Sequence, residues 1–130
     1  MGSADVDAVS TGSAIILQTQ KRDGSWVATP VTPTRHGDVI YVMTDGESGK
    51  AKRIRNFPTV KVSAGTNRGN ATGPVRLATA RRLQGDEATR GVAIVRRKHK
   101  IVFGVILRLR FAFSKADQAV FELAGFRPEA

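Results

Sequence analysis

The sequence predicts a mostly β (α+β) protein in which about six strands and two helices form a small antiparallel barrel. Short alternating apolar runs outnumber helical patterns before residue 84. Short turns join most of these runs, whereas parallel strands would need long crossover connections. A chain of 130 residues without a linker, a repeat or a low-complexity segment suits one core, so residues 1–130 are predicted to form a single domain.

The first half of the chain reads as strands joined by tight turns. Ser13–Gln20 and Trp26–Arg35 flank Asp23-Gly24, which is a strong hairpin signal. The two prolines of the second run predict an edge strand, because proline cannot donate a hydrogen bond to a neighbouring strand. With Val39–Met43, these runs are expected to form a β-meander.

A helix is predicted over Ser48–Asn56, with Ser48 as its N-cap and Pro58 ending it. Ile54 and Phe57 are expected to face inward while the basic residues of this helix face out. The other predicted elements are a short helix over 4–11, strands over Thr59–Ala64, Pro74–Leu83 and Ala119–Leu123, and a helix over Asp86–Arg97 that continues with a break toward Phe111.

Composition excludes several kinds of chemistry. The chain has no cysteine and two histidines, so disulfides, thiolate metal sites, cysteine nucleophiles and histidine-rich metal sites are not expected. The acidic residues are scattered and suggest no acid–base pair. Ile101–Leu107 is too short to cross a bilayer, and the N-terminus lacks the features of a secretory signal, so the expected location is the cytoplasm.

The net charge of +10 favours an anionic partner: nucleic acid, anionic lipid or a phosphorylated small molecule. Lys50, Lys52, Arg53 and Arg55 lie early in the first basic helix. A helix N-terminus presents unpaired N–H groups and a positive dipole end, so these cations predict an anion site, most plausibly for phosphate. A solvated helix face is an equally good interpretation from the residues alone.

The most specific motif is T-x-x-x-S-x-K-x-K-R-I-R-x-x-P, which spans Thr44 to Pro58. Together with KRDGSWVATPV before it and GPVRLATARRL after it, this motif resembles the pyridoxamine-phosphate-oxidase-like split β-barrel family. It is most similar to the actinobacterial branch of F420-dependent flavin/deazaflavin oxidoreductases, of the FDOR-B type. The resemblance covers roughly residues 13–124. It implies a six-stranded split β-barrel with flanking helices, which forms a homodimer and binds a flavin-type cofactor in a groove between subunits.

The resemblance also implies cofactor-binding positions. Lys50 matches the family's phosphate-binding lysine, and Arg76 matches a position that reaches the cofactor from the neighbouring subunit. The other implied positions are Ser48, Gly49 and Lys52 in the anion-binding turn, Thr44 at the phosphate pocket, and Ala28, Thr29, Pro30 and Val31 along the ring system.

The implied function is that of an F420-dependent reductase, which transfers a hydride from reduced deazaflavin to an unsaturated small molecule. No catalytic side chain or metal is implied, because the cofactor carries the hydride. An FMN- or haem-binding split barrel is the alternative within the same fold. A basic module for nucleic acid or an anionic membrane surface comes third, on the pattern of Arg96–Arg110. Nucleic acid is not the expected partner, because the basic strands lack interleaved aromatic residues; peripheral membrane contact stays open.

Overall fold

The computed structural model describes residues 2–98 and 118–129. Seven strands and three helices occupy these residues. In chain order they are α1 (Gly2–Val9), β1 (Ala14–Gln20), β2 (Trp26–Val31), β3 (Thr34–His36), β4 (Val39–Asp45), α2 (Gly49–Asn56), β5 (Thr59–Gly65), β6 (Arg76–Arg82), α3 (Gly85–Lys98) and β7 (Gln118–Pro128).

All strands belong to one antiparallel sheet with the order β2-β1-β5-β6-β7-β4-β3. The predicted antiparallel barrel is confirmed, with seven strands where about six were expected. The run Trp26–Arg35 divides at Thr32 and Pro33 into β2 and part of β3. The predicted edge position of β2 is confirmed, because its only partner among the described strands is β1.

The consecutive pairings of the predicted β-meander are confirmed, since the run Trp26–Arg35 pairs with β1 through β2 and with β4 through β3. The two pairings lie at opposite edges of the sheet, so β4 does not lie beside β2. It pairs with β3 on one side and with β7 on the other. The partner on that second side lies far along the chain, beyond the reach of any local turn signal.

The connection between β2 and β3 forces the sheet to curve. These two strands lie at opposite edges of the sheet, yet only Thr32 and Pro33 separate Val31 from Thr34. Three Cα–Cα steps span at most about 11 Å. The two edges therefore approach each other at one corner, and the sheet rolls into a split barrel with its apolar side inward.

The barrel interior forms one apolar core. Phe121 on β7 is its largest fully buried side chain, and Leu17 and Ile15 on β1 are almost completely buried. The same cluster includes Val60, Val62, Ile40 and Leu123 from other strands. Their alternation along each strand places these side chains on the concave face of the sheet.

Helix α1 closes part of this core. Val6 and Val9 are completely buried. Asp5 pairs with Arg76 on β6 at 2.7 Å, and Asp7 pairs with Arg35 on β3. The short helix predicted over residues 4–11 thus forms as α1, and its ion pairs connect it to β6 and β3, which are not neighbours in the sheet.

Helix α3 packs on the convex side of the sheet, where Gly91 permits a close approach. A Cβ at this position would lie 2.9 Å from a Leu83 methyl carbon and 3.4 Å from a Val120 methyl carbon. The predicted helix over Asp86–Arg97 is confirmed. Its predicted continuation toward Phe111 lies outside the described residues.

Candidate functional site

The site begins at the turn between β4 and α2. The Ser48 hydroxyl oxygen accepts a hydrogen bond from the Ala51 amide at 3.1 Å, which confirms the predicted N-cap. Within the described residues, the amides of Gly49 and Lys50 have no acceptor. Two backbone donors are therefore free to meet a ligand at the start of α2.

Lys50 faces the barrel. Its Nζ donates a hydrogen bond to the Thr29 hydroxyl on β2 at 3.2 Å, and its side chain is half-buried. This position corrects the expectation that the basic residues of this helix all face out. Lys50 lies four residues before the buried Ile54, so the helical period places both on the face that meets the sheet.

Arg53 is a second cation on this face, although the family resemblance implied no cofactor contact for it. Its Nε donates a hydrogen bond to the hydroxyl of Thr19 on β1 at 2.6 Å. Its guanidinium also folds back over the first turn of α2, where Nη1 lies 2.8 Å from the place that a Cβ on Gly49 would take. The spacing of three residues from Lys50 was the available signal, because residues at this spacing share a helix face.

No described carboxylate lies within ion-pair distance of Lys50 or Arg53. Burial lowers the pKa of Lys50 below the ordinary value for lysine, and the positive charge of Arg53 lowers this pKa further. Two neighbouring, partly desolvated cations are thus uncompensated by acidic groups in the described part of the protein. A bound anionic group would offset the repulsion between these two cations and stabilise their charged forms.

Strand β2 presents different side chains on its two faces. Thr29 and Val31 point to the side of α2 and the core, since Thr29 contacts Lys50 and Val31 packs against the core cluster. Ala28 and Pro30 alternate with them and are exposed on the opposite face. The four positions implied to lie along a ring system therefore divide into two pairs, and no described strand covers the free edge of β2.

The remaining predicted site residues are more scattered. Thr44 lies near the end of β4, half-buried and paired with Ala119 on β7. Lys52 is exposed on α2. Arg76 lies beside Val62, three strand spacings from Thr29 through β5 and β1, or roughly 14 Å along the sheet. Its guanidinium is occupied by the ion pair with Asp5, at 2.7 Å.

The second basic region is described only in part. Arg96, Arg97 and Lys98 are exposed at the end of α3. The rest of the run predicted to contact a membrane or nucleic acid lies outside the described residues. Among the helices of residues 2–98, none is long and apolar enough to cross a membrane.

The fold is that of the pyridoxamine-phosphate-oxidase-like split barrels. A candidate pyridoxamine 5′-phosphate oxidase from Listeria innocua superposes with a TM-score of 0.68 at 15% identity, over 97% of this chain and 95% of that chain. An F420-H2 dependent reductase gives a TM-score of 0.61 at 14% identity, over 85% of this chain and 93% of that one. A haem storage protein from Vibrio cholerae gives 0.63 at 16% identity, over 92% and 84%.

These similarities concern the fold, because all three identities are low. No protein-family model matches the sequence. No curated protein matches it either. Two of these names indicate different groups, F420-H2 and haem, so the choice of ligand depends on the residues of the site itself.

Proposed function

We propose that this protein is an F420-dependent oxidoreductase of the split-barrel type, which transfers a hydride between the reduced deazaflavin and an unsaturated small molecule. The observation that carries this proposal is the 3.2 Å contact between Lys50 and Thr29. It joins the turn that the family resemblance assigns to the phosphate with the strand that the resemblance assigns to the ring system. Sequence resemblance and geometry thus favour the same place on the molecule.

The residues of the site fit an anionic cofactor. The Lys50 ammonium and the free amides of Gly49 and Lys50 are donors suited to a phosphate oxygen, with no described acid competing for them. Ser48 holds the turn by capping the helix, and Thr44 lies at the end of the strand before it. Lys52 is exposed in the first turn of α2, and its charge adds positive potential that would attract the ligand.

The contribution of this chain is binding and orientation. When bound, the reduced deazaflavin supplies the hydride for an electrophilic double bond. Lys50 would hold the phosphate, and the free edge of β2 would lie along the ring. We place the substrate on the opposite side of the ring, between two subunits, where Arg76 of one subunit would approach the cofactor of the other.

An FMN- or haem-binding split barrel is the second candidate, since structural relatives include a haem storage protein. A binding screen of F420, FMN, FAD and haem against the purified protein separates the candidates. We expect F420 to bind with micromolar affinity or better, seen as a change in deazaflavin fluorescence. Binding of FMN alone, or a Soret band with haem alone, would contradict the proposed cofactor.

We also expect a homodimer, because the proposed cofactor groove needs a second subunit to cover the ring. Light scattering at micromolar concentration should give about twice the mass of one chain, which is 14.0 kDa. A monomer under these conditions would argue against a cofactor groove between subunits. It would leave the Lys50 anion site to be tested separately.

A further inference from the structure

The position of Arg53 is fixed by a buried hydroxyl. Thr19 is completely buried and receives the Arg53 Nε hydrogen bond at 2.6 Å. Polar side chains are uncommon at such core-facing strand positions, and here the hydroxyl is satisfied by a cation rather than by the backbone. Arg53 is itself half-buried, so its guanidinium is held against the sheet instead of moving freely in solvent.

Gly49 provides the space for this arrangement. A Cβ at this position would lie 2.8 Å from Arg53 Nη1, so a larger residue here would require the end of the Arg53 side chain to shift. The Nε group is used by Thr19, which leaves the Nη groups of the guanidinium to meet a ligand. These groups lie beside the turn that carries Lys50.

We propose that Arg53 is the second cation of the anion site, that Thr19 is its positioning residue, and that the pair makes the site select a doubly charged ligand over a singly charged one. This inference rests on the proposed function in one respect, namely that Lys50 contacts the anionic group of the ligand. It goes further by assigning the charge of that group.

The reason is electrostatic. Two like charges close together in a partly desolvated site repel each other, and the lowered pKa of Lys50 reflects both burial and this repulsion. A ligand with one negative charge can pair with one of the two cations, whereas a ligand with two negative charges can pair with both. The matching chemistry is either a phosphomonoester dianion or a phosphodiester with a carboxylate a few bonds away.

The test compares phenyl phosphate with methyl phenyl phosphate, which share a ring and differ in charge. At about pH 7.5 the monoester is mostly a dianion, because its second pKa is about 6, and the diester carries one charge. Calorimetric titration of the wild type should show at least about tenfold tighter binding of the monoester, as expected for a second charge-assisted contact. Arg53→Gln should reduce this ratio below about threefold and leave diester affinity nearly unchanged.

Two further variants separate positioning from folding. Thr19→Val keeps the size of the side chain but removes the acceptor, so the monoester preference should fall, whereas Thr19→Ser should retain it. Arg55→Gln is the matched control, since Arg55 is exposed on the same helix, and its ratio should equal that of the wild type. A merely structural role for Thr19 would weaken both probes equally, and this result would overturn its assignment.

The assignment of Arg53 as the second cation would be overturned if Arg53→Gln kept the wild-type ratio of monoester to diester affinity, or if that ratio were near one in the wild type. Either result would leave Lys50 as the proposed phosphate ligand. Failure of both probes to bind the wild type would instead remove the proposed Lys50 site itself. Titrating Arg53→Gln with FMN and with F420 identifies the source of the second charge. A larger loss for FMN indicates the monoester, and a larger loss for F420 indicates the diester with its carboxylates.

Discussion

The Lys50→Ala variant is expected to bind F420 at least about tenfold more weakly than the wild type. A charge-assisted hydrogen bond contributes about 1.5–3 kcal/mol, and about 1.4 kcal/mol corresponds to a factor of ten in affinity. Lys50 contacts β2 directly, since its Nζ lies 3.2 Å from the Thr29 hydroxyl. Fluorescence titration with F420 measures the change directly.

The stability of this variant should not decrease. The lowered pKa of Lys50 means that the folded protein disfavours the charged ammonium relative to the unfolded chain. Removing the ammonium relieves this cost and also removes the Thr29 hydrogen bond and some packing of the half-buried side chain, so urea unfolding should give a free energy close to that of the wild type. Arg55→Ala is the matched control, because Arg55 is exposed on the same helix and is not a proposed ligand contact. Equal affinities for F420 in the wild type and Lys50→Ala would remove the main site assignment.

The second large effect is on stability. Phe121→Ala is expected to lower the free energy of unfolding by about 3–5 kcal/mol, because it leaves a large cavity in a closely packed core. Phe121 is the largest fully buried side chain of the described residues and lies on β7, opposite Val42 of β4 and Arg82 of β6. It therefore supports the pairing that joins the two halves of the sheet.

Urea denaturation followed by circular dichroism measures this loss. Phe121→Leu is the control, because it keeps most of the apolar volume and should cost clearly less than the alanine substitution. If Phe121→Ala does not fold, Phe121→Leu still tests the core through its smaller loss. A decrease below about 1 kcal/mol for the alanine variant would contradict the barrel core described above.

Local signals predicted most of the elements well. Ser48 and Pro58 delimit α2 because a cap and a proline act within a few residues, and Asp23-Gly24 indicates the first hairpin for the same reason. The order of the strands in the sheet has a different origin. The second partner of β4 is β7, whose residues come after position 117, and no local pattern encodes a pairing over such a distance.

The site was predicted unevenly for a related reason. The family resemblance indicated both Lys50 and the strand with Thr29, and Lys50 donates a hydrogen bond to Thr29. The resemblance implied no individual role for Arg53, because the position of this side chain depends on Thr19, which lies 34 residues earlier in the chain. Thr19 reads as one polar residue in an alternating strand, and only the fold brings its hydroxyl beneath the helix.

The most direct test of the central claim is a crystal structure of the protein with F420 bound. The account predicts a phosphate oxygen within hydrogen-bond distance of Lys50 Nζ, with the deazaflavin ring along the free edge of β2. A phosphate held elsewhere on the protein, with Lys50 still donating only to Thr29, would contradict it.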